Sequence, residues 1–201
     1  MSAAVRSSLV LALLVVPDAA LAHPALPGIG GFWGGLLHPF VVPAHALAIV
    51  AAGLLVGQVI KGVPESARWN GPAAFAAGLV AGSIAIACAF VPVHANEALL
   101  GLAALSGIWI AAGRIPLHLT PLLIAGLTGL VVALDSPPDA TLLREALLMQ
   151  IGTFCGALAL FTALQEIASR LRRGWQHVGV RILGSWTAAS AILVLALRFA
   201  K

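Results

Sequence analysis

The residues of this chain best placed to do chemistry are His38 and His45, seven positions apart in residues 30–49, GGFWGGLLHPFVVPAHALAI. An imidazole among apolar residues pays a desolvation cost that leucine would not, so each one needs a partner or a purpose. On a continuous helix the two would share a face, although Pro39 and Pro43 predict a bend between them. His94 and Glu97 stand at i and i+3, neighbours on a helix, and Glu97 opens an apolar stretch with no cation nearby in sequence. His23 follows a small-x-small tripeptide; as a mature N-terminus it would offer an α-amine and an imidazole together. With Asp135, Glu145 and Met149, the donors are imidazole, carboxylate and thioether. That set suits nickel, cobalt, copper or zinc better than magnesium or calcium. The same residues admit plainer readings. His38 and His45 also fit an interface with headgroup water, His94 an ordinary loop, and Arg144-Glu145 a solvated helix end. No phosphate loop, nucleophile elbow, HExxH or paired-cysteine motif is present, so the chain does not read as an enzyme.

The elements that must position these groups are membrane helices. Of 201 residues, 61% are hydrophobic and 9% charged, and the mean hydropathy is +1.05, well outside the soluble range. Lysine and arginine outnumber aspartate and glutamate by 11 to 7, but basic residues gathered in short loops set topology and do not imply nucleic acid. Cys88 and Cys155 each lie in an apolar run, which argues against a disulfide framework and for packing as small hydrophobes. Arg6, an apolar core at 9–16, Pro17 and Ala20-Leu21-Ala22 have the pattern of a signal peptide over residues 1–22, cleaved after Ala22. Residues 23–201 then form a single all-α membrane domain, a compact bundle of about six transmembrane helices. A short or re-entrant helix precedes spans at 43–60, 72–91, 95–112, 117–134, from 141 to as far as 171, and 180–197.

Charge gives an independent check on that order. With an external start, Lys61, Arg68, Arg114, Arg170, Arg172, Arg173 and Arg181 all fall on the inside, and Glu97, Asp135 and Asp139 on the outside. The expected location is the inner, cytoplasmic membrane of a bacterium, multi-pass, with the mature N-terminus external. Three GxxxG pairs, Gly53/Gly57, Gly78/Gly82 and Gly152/Gly156, predict close helix packing. They serve either the bundle itself or a homo-oligomer or membrane protein partner docked on the glycine faces. Glu166 and Arg170 read as an i, i+4 ion pair at the inner end.

The signal segment ending Ala-His, the approach GFWGGLLHP, the His-Pro followed by His45, Glu97 opening the third span, and the closing Arg181-Ile182-Leu183-Gly184-Ser185-Trp186 together resemble the HupE/UreJ family. The resemblance extends over the whole chain. It implies a nickel or cobalt permease associated with hydrogenase and urease maturation, with the metal as transported substrate and no tightly bound cofactor. The family pattern HPxxGxDH keeps both histidines as His38 and His45, but its glycine is Val42, its aspartate is Ala44, and Ile49 replaces a nearby methionine. A second signature, HGxAHG, falls where residues 129–134 read GLVVAL. The expected metal set is therefore His38, His45, Glu97, His94 and His23, in a divergent permease. The alternative is a non-transporting accessory or assembly subunit that keeps the fold.

Overall fold

Inside a bilayer no water is available to satisfy peptide groups, so a chain this apolar closes its hydrogen bonds within helices. The computed structural model describes residues 29–61, 64–90, 92–113, 119–138 and 140–200, and the regular structure among them is helical throughout. The signal segment expected at 1–22 lies outside the described residues, as do His23, Arg114, His118 and Asp139. The helices are α1 (Gly31–Val41), α2 (Pro43–Val59), α3 (Glu65–Arg68), α4 (Asn70–Ala87), α5 (Ala95–Ala112), α6 (Thr120–Leu134), α7 (Leu143–Arg170) and α8 (Gly174–Phe199).

Four segments are long and apolar enough to cross a membrane: Glu65–Ala87, Ala95–Ala112, Leu143–Arg170 and Gly174–Phe199. The pair α1–α2, bent by 70°, makes a fifth if it is one span. Helix α6 is apolar but has only 15 residues, about 22 Å at 1.5 Å per residue, short of a hydrocarbon core of ~30 Å. By length and composition the count is thus four or five, where the sequence predicts about six. The last helix starts at Gly174, earlier than expected. Its first turn is closed by Gln176, whose Oε1 accepts the backbone N–H groups of Arg172 and Arg173 at 3.0 and 2.9 Å, so the basic connection shrinks to three residues.

Helix α2 is apolar all round and is accordingly the buried axis of the bundle; Ala48, Ile49, Ala51, Ala52 and Leu55 are all fully or nearly fully enclosed. Around it stand three closely packed pairs, α4 with α6, α1 with α7, and α5 with α8. Glycine sets each approach. A Cβ on Gly78 or Gly129 would strike the backbone of the facing helix at Gly126 or Phe75. On Gly152 it would strike Phe32, and on Gly107 it would lie 2.6 Å from the Gly184 carbonyl. Gly53 and Gly57 seat α2 on α7 at Phe161, Leu164 and Gln165. All three GxxxG faces are therefore filled by helices of the same chain. Phe75 and Phe161 stack between α4 and α7 with ring centroids 4.5 Å apart. Large apolar side chains such as Ile84, Leu123, Ile151 and Leu193 point outward, as they must where the surroundings are lipid. Cys88 and Cys155 are free and exposed, not packed inside as the sequence predicts.

Candidate functional site

The bend between α1 and α2 brings the two histidines together. Pro39 sits within α1, Pro43 is the first residue of α2, and Val42 between them is extended. Pro43 lacks the N–H that would continue the first helix, while its fixed φ suits the start of the second. The chain therefore bends sharply at Val42, and the rings of His38 and His45 meet edge to face with centroids 5.0 Å apart. His45 is wholly buried. Its Nε2–H donates to Asp135 Oδ2 at 2.9 Å, and Asn96 Nδ2 donates to the same oxygen at 3.2 Å. Asp135 follows the last turn of α6, and Asn96 lies in the first turn of α5. Four helices thus contribute to one polar cluster at one end of the bundle.

His38 connects that cluster to the surface. It lines an open cleft of about 500 Å³ together with Gly31, Arg144, Glu145, Leu148 and Met149. It also borders a second void of about 20 Å³, beside Ser136, Pro137, Gln150 and Thr153, large enough for one water. Gly35 on the same helix faces the Met149 carbonyl and Thr153 so closely that any side chain there would separate α1 from α7. His38 thus lies between the cleft and the buried His45, and Asp135, partly exposed in the turn after α6, meets His45 from the end of the bundle.

His94 and Glu97 are placed differently. Glu97 accepts from Arg198 Nη1 at 2.9 Å, tying the start of α5 to the end of α8, and His94 Nδ1 is 3.8 Å away with its side chain 82% exposed. Glu145 and Met149 share the cleft with His38, as their i, i+4 spacing implies. The structure thus gathers His38, His45 and Asp135 in one place and His94 with Glu97 in another, while His23 lies outside the described residues. Among the described residues no three histidine, cysteine, aspartate or glutamate side chains are arranged to hold a metal ion as they stand. Asn96 is the member that sequence reasoning missed, and Asp135, counted there among the possible donors, was left out of the expected metal set. The signal for Asp135 was its position directly after residues 129–134, where the second family signature falls.

A family model described as HupE / UreJ protein matches residues 11–194. The chain belongs to that family. No curated protein and no solved structure matches the chain. Within this HupE / UreJ protein the aspartate that the family pattern places beside the second histidine is Ala44, and a carboxylate reaches His45 from another helix instead. Ala44 is itself buried, so its methyl group fills space against the core and the charge enters from the end of α6.

Proposed function

We propose that this HupE / UreJ protein is a membrane permease for a divalent transition-metal ion, nickel or cobalt in the first place, with His38, His45 and Asp135 as its entry path. The observation that carries this reading is the placement of His38 between an open cleft and the buried His45, which is joined to the half-buried Asp135. A histidine enclosed by membrane helices, with a carboxylate at the helix end beside it, is costly and marks ion or proton pathways by default. Imidazole nitrogen is a good ligand for borderline ions, and a carboxylate offsets the charge of an ion that has shed water. Nε2 of His45 and Oδ2 of Asp135 are both donor atoms, held together by a shared proton. An ion lodging between them takes the place of that proton and parts the two side chains, so the contact is the closed form of the path. Glu145 and Met149 give the cleft a carboxylate and a thioether with which to gather the ion before His38.

The charge pattern supports the orientation in which this end is external and the end with Lys61, Arg68 and Arg170 faces the cytoplasm of a bacterial inner membrane. In that arrangement α6 serves as a short sixth crossing, and His94 with Glu97 lies at the external rim, where His23 would join it.

The second reading, an accessory subunit without transport, is favoured by one observation: no three ligand side chains stand ready around a common point among the described residues. Metal analysis of the purified full-length protein, alongside metal uptake by cells that express it, separates the two. The permease reading expects stoichiometric nickel or cobalt and measurable uptake, both lost in His45→Ala. Background metal and no uptake in the wild type decide for the accessory role.

A further inference from the structure

The opposite end of the bundle holds a second polar concavity that the entry path does not use. A cavity of about 570 Å³ is lined by Lys61, Arg68, Arg170, Arg172 and His177, with Glu166 as the one carboxylate among the described lining residues. These groups come from three separate stretches: the end of α2, the short α3, and the connection between α7 and α8. Basic residues that only set topology need to lie on one side of the membrane, not to face one another. Glu166 is already engaged, since Arg68 Nη2 donates to both its oxygens at 2.8 and 3.0 Å and Arg170 Nε donates at 2.8 Å. Lys61 Nζ lies 3.4 Å from His177 Nδ1. Among the described residues neither Lys61 nor Arg172 has a carboxylate partner.

We propose that this cavity binds a phosphate-bearing anion, and that the phosphodiester headgroup of an acidic phospholipid is the source its surroundings fit. Guanidinium groups present forked donors that match phosphate oxygens, and lysine adds a point charge. Basic pockets between membrane helices on the cytoplasmic side take such headgroups. Trp69 directly follows Arg68 and Trp175 stands two residues before His177; at 65% and 69% exposed, they have the character of interfacial anchors at headgroup level. Partial burial holds Lys61 below its ordinary range, a cost that a bound anion reverses.

The test uses the purified full-length protein in micelles holding equal phosphatidylglycerol and phosphatidylcholine, with bound lipid read by native mass spectrometry and stability by thermal unfolding. Phosphatidylglycerol is expected to be enriched on the protein. The enrichment should fall roughly fivefold in Lys61→Gln or Arg172→Gln and about twenty-five-fold in the double variant. Arg144→Gln, at the other end of the bundle, should leave it unchanged. If the double variant fails to fold, the two single variants carry the measurement. Millimolar inorganic phosphate that raises the unfolding temperature and displaces phosphatidylglycerol identifies a free phosphate as the ligand, with the same chemistry. Equal occupancy by both lipids with no response to phosphate overturns the proposal, as does enrichment that survives both substitutions.

Discussion

Asp135 is the residue on which the site turns, because it supplies from α6 the charge that Ala44 does not supply beside His45. Replacing it with asparagine keeps the volume and removes the charge. Asp135→Asn is expected to abolish metal uptake and to cost about 1–3 kcal/mol of stability, the range for losing a buried hydrogen bond to a charged group; uptake assays and thermal unfolding of the same preparation check both. Glu97→Gln is the contrast. Its bond to Arg198 is partly solvent-exposed, so its loss should stay within about 1 kcal/mol and leave uptake near the wild-type level. His38 and His45 were legible in the sequence because their type and spacing stand out against apolar neighbours. Asp135 was named among the donors but not in the metal set, since nothing in a turn before two prolines links an aspartate to His45. Only the fold reveals that the turn lies over His45, ninety positions earlier in the chain.

At the scale of the helices, close approach depends on missing side chains, and two glycines of α5 make the point. A methyl on Gly107 would sit 2.6 Å from the Gly184 carbonyl oxygen and 2.8 Å from the Ala188 nitrogen. Gly107→Ala should therefore push α8 away and cost about 1–3 kcal/mol, as overpacking does. Gly101 has nothing within 4 Å of the same position, and Gly101→Ala should be neutral or stabilising by up to about 1 kcal/mol, from helix propensity alone. Unfolding of the two variants in one detergent reads the difference. Helix existence was legible from apolar runs, and α5 falls on its predicted bounds because His94 and Gly113 punctuate it. Which glycines meet a neighbour was not legible, since Gly101 and Gly107 look alike in sequence and differ only in what stands opposite. A short or re-entrant helix was expected ahead of Pro39, but its run through Pro39 to Val41 was hard to read, because glycine and proline weaken the local signal while packing against α7 enforces the helix.

For the whole molecule the two cysteines provide a test of orientation. Cys88 follows α4 at the end of the bundle that holds the histidine cluster, and Cys155 lies within α7; both are exposed and free. A membrane-impermeant maleimide added to intact spheroplasts should label Cys88 from outside and leave Cys155, surrounded by lipid, untouched until the protein is denatured; labelling of Cys88 only in inverted vesicles would reverse the topology. The alternation of apolar spans and basic loops predicts this orientation, whereas the central placement of α2 came only from the packing. That placement has a mechanical consequence. Helix α2 has 17 residues, a rod about 25 Å long at 1.5 Å per residue. It carries His45 in its first turn, and Lys61 follows just beyond its last. It is enclosed by its neighbours and pressed onto α7 at Gly53 and Gly57. If it moves as one rod, a tilt that parts His45 from Asp135 also shifts the end that leads into Lys61, and any coupling between the two ends is equal in both directions.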